Sequence, residues 1–194
     1  LNALIIFLKN PEKGKAKTRL AAGIGEEAAL EAYIELLAHT RKTALEVEAE
    51  RFLFYKDEIW EDEWSKTNFH KNLQPVGDLG KKMKAAFEFI FQSGANKAVI
   101  IGSDCGTLNA EIIQQAFDEL EEQDIVIGPA EDGGYYLLGM KKLHPYLFEN
   151  KKWSTDKLLL DTIRDMHSYG HTFTLLQELY DIDTVDEWKR WKSI

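Results

Sequence analysis

The chain has 194 residues, a formal net charge of −9 and 44% apolar residues. That is enough for one domain spanning 1–194, with a full core and no need of disulfides or a structural metal. The acidic balance argues against a broad nucleic-acid surface, so no nucleic-acid partner is expected. The single cysteine, Cys105, allows no internal disulfide, and a reducing cytoplasm is the expected compartment.

The first apolar run, Ala3–Leu8, is far short of the roughly 20 residues needed to cross a bilayer, so no membrane span is expected. A basic loop follows it in place of a small-residue cleavage site, so it does not read as a secretory leader. It reads instead as a buried strand. Glu26–Val47 reads as a helix with Leu30, Tyr33, Ile34, Leu37 and Ala38 on one face. Arg51–Tyr55 is a second strand, and the acidic, Trp-bearing stretch 56–67 a loop or short surface helix. Asp78–Gln92 is a helix whose inner face is Met83, Ala86, Phe87, Ile90 and Phe91. A strand follows at Lys97–Gly102, then a helix capped by Asn109 with Ile113, Ala116, Phe117 and Leu120 inward. Asp124–Gly128 and Tyr135–Met140 are strands around a Gly133-Gly134 turn. Ser154 is read as the cap of a helix running to about Met166. Thr172–Leu176 is a late strand, and Thr184 with Glu187 forms a capping box for the last helix. Alternating short apolar runs and amphipathic stretches predict an α/β fold. In such folds ligands bind beyond the carboxyl ends of the strands.

Four clusters stand out. Lys9-Asn-Pro-Glu-Lys-Gly-Lys-Ala-Lys-Thr-Arg19 carries five basic residues and one acidic one in an acidic chain. Gly14 allows close backbone approach to a ligand, and Lys17 and Arg19 suit a diphosphate or triphosphate. The spacing is not that of a P-loop. A solvated basic loop would have the same composition; its place after the first strand favours a ligand. Gly102-Ser-Asp-Cys-Gly106 puts Asp104 at a strand end, where a carboxylate can hold Mg²⁺ or Mn²⁺ against phosphate oxygens; a turn Asp bonding its own backbone is the bland alternative. Cys105 is expected to be packing. Gly128-Pro-Ala-Glu-Asp-Gly-Gly-Tyr-Tyr136 is a hairpin signal that could also present Asp132, Gly133 and Gly134 to an acceptor. In Tyr180-Asp-Ile-Asp-Thr-Val-Asp186, Thr184 and Asp186 are helix-start chemistry, while Asp183 is free to serve as a second metal ligand. Gln74 and Gly77 are candidate nucleotide contacts. Asp78 caps a helix or joins them, and Trp153 is either core or part of an acceptor site. The histidines show no zinc spacing.

Together these segments resemble a bacterial glycosyltransferase-A-like family of unassigned function (DUF2064) in the nucleotide-diphospho-sugar transferase superfamily. The residues that carry the likeness are Lys9, Gly14 and Lys17-Thr-Arg-Leu20; Gln74 and Gly77-Asp-Leu-Gly80; Gly102-Ser-Asp-Cys105; Gly128-Pro-Ala130 with Asp132-Gly-Gly-Tyr-Tyr-Leu137; and Trp153-Ser-Thr155. More distantly the chain resembles guanylyltransferases acting on phospholactate and on molybdenum cofactor, through Lys13–Arg19, Asp104 and Asp181–Thr184. The resemblance implies a mostly parallel sheet with helices on both faces and an antiparallel strand. It also implies a nucleotide or nucleotide-sugar and a small-molecule acceptor as ligands. Two departures stand out. Gly106 replaces a usual Pro, which predicts a looser loop, and Gly102-Ser-Asp104 lacks the first Asp of a D-x-D motif, so that a second metal ligand has to come from elsewhere, Asp183 or Asp132. The expected activity is nucleotidyl transfer, with Mg²⁺ at Asp104 and charge stabilised by Lys17 and Arg19. Glycosyl transfer from a nucleotide-sugar ranks close behind, and a non-catalytic nucleotide-binding module is the third reading.

Overall fold

The structure, a computed structural model, describes residues 1–194. Fourteen elements follow one another: β1 (Asn2–Leu8), α1 (Thr18–Ile24), α2 (Glu26–Leu45), β2 (Glu50–Tyr55), β3 (His70–Leu73), α3 (Leu79–Gln92), β4 (Lys97–Ile101), α4 (Ala110–Glu119), β5 (Ile125–Pro129), β6 (Tyr135–Met140), a 3₁₀ turn (Pro145–Leu147), α5 (Leu158–Ser168), β7 (Phe173–Leu175) and α6 (Val185–Lys192). The strands form one sheet in the order β3-β2-β1-β4-β6-β5-β7. β6 runs antiparallel to both its neighbours, and every other pairing is parallel. No helix is long and apolar enough to cross a membrane.

The near-continuous apolar strands follow from burial on both faces. Alternate residues of β1 point to opposite sides: Leu4, Ile6 and Leu8 join one core with Leu36 and Leu37 of α2 and Ile113, Ala116 and Phe117 of α4. Ala3 and Ile5 join the other, with Met83, Ala86, Phe87 and Ile90 of α3 and Met166 of α5. Because β6 is reversed, β5 runs parallel to β4, so β1, β2, β3, β4, β5 and β7 all end on the same side of the molecule.

Several sequence expectations change. The helix α1 begins inside the basic loop and was not expected, and neither was the polar edge strand β3. Ser154 does not cap α5. It takes a left-handed backbone at φ 60°, and the helix begins only at Leu158. The loop after β4 is not loose at Gly106. That residue is buried, and a Cβ there would lie 2.5 Å from Trp191 Cε2 and 2.7 Å from Ile182 Cδ1. Glycine is required because α6 packs directly on the loop. Gly106→Ala is expected to cost about 1–3 kcal/mol by overpacking and to lower Tm by several degrees in a thermal melt. An unchanged Tm would mean that α6 yields freely.

At the opposite end of the sheet, beyond β6, His144 is 4% exposed, its Nε2 has no hydrogen-bond partner, and its ring lies 4.2 Å from that of His171. Burial, then the charges of His171 and Lys142, push its pKa down to about 4, against an opposing pull from Asp124. The folded state therefore binds fewer protons than the unfolded state, in which an ordinary histidine titrates near 6.5. The stability present above that value is lost as the pH falls towards 4. The expected loss over this window is about 1–3 kcal/mol. Urea unfolding at pH 7 and pH 4.5 should show a smaller loss in His144→Leu than in the parent. Equal losses would rule His144 out as the cause.

Candidate active site at the carboxyl ends of the strands

The chain leaving β1 is braced before it reaches its basic residues. Asn10 is buried; its amide donates to the Glu58 carbonyl, and its Oδ1 accepts from the backbone N–H groups of Asp57 and Glu58. Tyr33, on α2, accepts from the Lys9 N–H at 2.9 Å and donates to the Lys9 carbonyl. Its hydroxyl also lies 3.1 Å from Ser103 Oγ in the loop after β4. Burial, then the charge of Asp104, raises the Tyr33 pKa well above the usual range, so the phenol stays neutral. These contacts tie the loop after β1 to its neighbours on both sides.

Lys17 stands immediately before α1 with φ 53° and ψ 46° and gives no side-chain cap to the helix. A left-handed non-glycine residue costs on the order of 1–2 kcal/mol, and such strain gathers at functional sites. Here it turns the side chain inward, leaving it 4% exposed, with Nζ 2.5 Å from Asp104 Oδ1 and 3.0 Å from Asp183 Oδ1. Arg19, two residues on, reaches Asp183 Oδ2 at 2.7 Å from a side chain that is 72% exposed. The segment carrying Asp183 is held beside Asp104 by a backbone hydrogen bond from Ile182 N–H to the Asp104 carbonyl, 2.8 Å. A capping box of Thr184 and Glu187 fixes the start of α6 just beyond, with the Glu187 carboxylate also accepting from the Asp183 N–H.

The charges act on one another. Burial works to lower the Lys17 pKa, but Asp104 and Asp183 outweigh it and the net shift is upward. Burial works to raise Asp183, but Lys17, Arg19 and Lys9 hold its carboxyl below the ordinary value. Asp181 is the third carboxylate here. Burial, then Asp104 and Asp183, push its pKa up to about 7, with Lys17 opposing. The neighbouring thiol of Cys105 is pushed by burial, then by Asp181, up to about 12, which makes it a packing residue.

These groups line a cavity of about 170 Å³, bounded by Lys9, Lys15, Ala16, Lys17, Thr18, Arg19, Tyr33, Asp104 and Asp183. It is smaller than the ~300 Å³ at which pockets for whole drug-sized ligands begin, so it suits the anionic end of a longer ligand. The two carboxylates present oxygen donors to a point where a cation, the Lys17 ammonium, already sits. An all-oxygen donor set with few protein ligands fits Mg²⁺ or Mn²⁺ completed by phosphate and water. No three His, Cys, Asp or Glu side chains form a metal-binding group by themselves.

The other candidates divide. Gly14, at φ 76°, lies in the same basic loop; Lys13 points outward to Glu27, whereas Lys15 borders the cavity and pairs with Glu12. The Gln74 amide donates to the carbonyls of Leu8 and Phe54, stitching the ends of β1 and β2, while its Oε1 accepts from Lys82. Asp78 caps α3 by accepting from the Lys81 N–H, and Gly77 precedes it at φ 135°. Asp132 accepts from the Gly134 N–H inside the turn between β5 and β6. The Gly133 carbonyl accepts from the Leu159 N–H of α5, and a Cβ on Gly133 would lie 2.2 Å from the Asp156 carbonyl oxygen. Trp153 lies against the backbone of Gly80 at the start of α3. Glu131 is held by a two-bond fork from Arg190 of α6. From sequence Asn10 and Ser103 carry no role of their own, Tyr33 figures only as a core-facing helix residue, and Asp181 only in the distant resemblance. For Tyr33 a signal existed, because a tyrosine on a core-facing helix stripe must find a partner for its hydroxyl.

No curated protein matches the sequence. Among solved structures, a Desulfovibrio desulfuricans G20 protein, provisionally described as a nucleotide-diphospho-sugar transferase, superposes with a TM-score of 0.89 at 28% identity, covering 95% of this chain and 83% of that one. A nucleotidyl transferase from Methanothermobacter thermautotroptrophicus gives a TM-score of 0.65 at 12% identity, over 99% of this chain and 96% of that one. The manganese complex of Rv0371c from Mycobacterium tuberculosis H37Rv gives 0.59 at 14% identity, over 100% and 98%. At such identities the last two speak to the fold alone. The model of a family described as uncharacterised proteins conserved in bacteria matches residues 37–155, more than half the chain, and the protein therefore belongs to that family, DUF2064.

Proposed function

We propose that the protein is a nucleotide-dependent transferase that moves a nucleotidyl group from a nucleoside triphosphate to a phosphorylated small acceptor. The observation that carries this reading is the meeting of Lys17 and Arg19, from the loop after β1, with Asp104, after β4, and Asp183 around one cavity at the carboxyl ends of the strands. In the proposed reaction an acceptor phosphate oxygen attacks the α-phosphorus. A new P–O bond forms, the bond from the α-phosphorus to the α,β-bridging oxygen breaks, and pyrophosphate leaves with that electron pair. Lys17 and Arg19 neutralise charge on the phosphoryl oxygens and on the departing pyrophosphate. Lys9, exposed at the rim, faces the outer phosphate. Tyr33 and Asn10 keep the cationic loop at a fixed distance from Asp104. Mg²⁺ or Mn²⁺, held by Asp104 and Asp183, would supply Lewis-acid withdrawal of charge from the phosphate oxygens.

Glycosyl transfer from a nucleotide-sugar is the second reading, favoured by the description of the Desulfovibrio relative. The same cavity would hold the diphosphate, and the loop Ala130–Gly134 would face the sugar or acceptor. The two readings release different products. Incubation with each of the four nucleoside triphosphates and a panel of phospho-acceptors should release pyrophosphate, whereas incubation with nucleotide-sugars should release nucleoside diphosphate only under the second. Release of neither, with both panels exhausted, would leave a non-catalytic nucleotide-binding module.

A further inference from the structure

We infer that the Lys17 ammonium is the resident cation of the Asp104–Asp183 pair and has to leave it before a divalent cation can enter, so that the site takes up metal together with a polyphosphate and not ahead of it. The inference deepens the transferase reading and rests on it for the identity of the polyphosphate.

Three observations support it. The first is position. Lys17 Nζ stands within 3.0 Å of an oxygen from each carboxylate, from a side chain only 4% exposed. A divalent cation drawn to the same two oxygens meets a fixed positive charge at the same point, and the two repel. The second is ligand count. The third carboxylate nearby, Asp181, does not make a metal-binding group of three with the pair, so an octahedral ion has to complete its shell with water or phosphate oxygens. A polyphosphate therefore does two things at once: it offers the ammonium a new partner, and it supplies the ligands the protein lacks. The third is freedom to move. The ammonium lines the cavity at the end of four methylenes, passing 5.8 Å from the centre of the Tyr33 ring. Rotation about its own side-chain bonds carries it from the carboxylates into the cavity while the backbone of Lys17 keeps its left-handed conformation. Arg19, on the far oxygen of Asp183 and mostly exposed, is free to follow.

The test uses Mn²⁺ alone and inorganic tripolyphosphate alone as probes. Free Mn²⁺ is counted by electron paramagnetic resonance in titrations of the parent, Lys17→Met, and the double variant Lys17→Met/Asp104→Asn. Tripolyphosphate binding without metal is measured by calorimetry. The inference expects a crossover. Lys17→Met binds Mn²⁺ at least tenfold more tightly than the parent, binds tripolyphosphate at least tenfold more weakly, and loses the Mn²⁺ gain when Asp104→Asn is added. If Lys17→Met binds Mn²⁺ no more tightly than the parent, or if the gain survives Asp104→Asn, the inference is wrong. Should Lys17→Met lack a cooperative melt, Lys17→Gln takes its place, with the same expectation of tighter Mn²⁺. Failure of the parent to bind any polyphosphate or nucleotide would sink the transferase reading, and the Mn²⁺ comparison would still decide the role of Lys17.

Discussion

Asp104→Asn is expected to lower the turnover of the transfer reaction about a thousandfold, which corresponds to about 4 kcal/mol of transition-state stabilisation. The substitution keeps size and shape but removes the charge that faces both Lys17 and the proposed metal. Without it the proposed metal would lose one of the two carboxylates that would hold it, and Lys17 loses a partner that sets its resting place. The cost to folding is small by comparison. The Asp104 side chain is 41% exposed, and Lys17 retains Asp183 at 3.0 Å. Because Lys17 is buried, the loss exceeds the ~0–1 kcal/mol of a fully exposed pair, but the retained Asp183 keeps the ammonium from being left without a counter-charge. Steady-state kinetics beside a thermal melt separates the two effects. Turnover within a few fold of the parent, on whichever donor the parent accepts, would remove Asp104 from the chemistry.

The second large effect concerns nucleotide affinity. Lys17→Met should weaken binding of a nucleoside triphosphate by about 1.5–3 kcal/mol, the range for a hydrogen bond to a charged group. That is roughly tenfold to 150-fold in the dissociation constant. The matched control is Lys13→Met. Lys13 lies in the same loop but points outward to Glu27, with both side chains more than half exposed, so its loss should change affinity by about twofold or less. Isothermal calorimetry on both variants decides the matter. Equal effects would mean that the loop acts as a diffuse positive surface, with no single gripping residue.

The elements were legible in sequence to different degrees, for physical reasons. Tyr135–Met140 and the capping box at Thr184 are local features: an apolar run after a Gly-Gly turn, and side chain-to-backbone bonding, are complete within a few residues. The edge strand β3 was missed because His70-Lys-Asn-Leu73 has no apolar alternation. It is a strand because β2 offers it a row of backbone partners. The helix α1 was missed because Lys17-Thr-Arg19 reads as loop, and its Leu20 is buried because α2 folds back over it and Val185 and Trp188 of α6 pack alongside. Gly106 suggested slack when read alone. The indole of Trp191, 85 positions on, makes it a tight contact.

The chemistry divides along the same line. A basic run after the first strand, a carboxylate after a central one and an acidic segment before the last helix are short-range facts, and the sequence by itself determined that the chain carries them. Which of five basic side chains turns inward was decided by the left-handed backbone at Lys17. Asp183 became the second partner because a backbone bond from Ile182 to Asp104 lays one loop beside the other. Asn10 and Tyr33 became braces through contacts 48 and 24 residues away in sequence. Such pairings depend on strand order and register, which are set by how the whole chain buries its apolar surface. No local pattern encodes them.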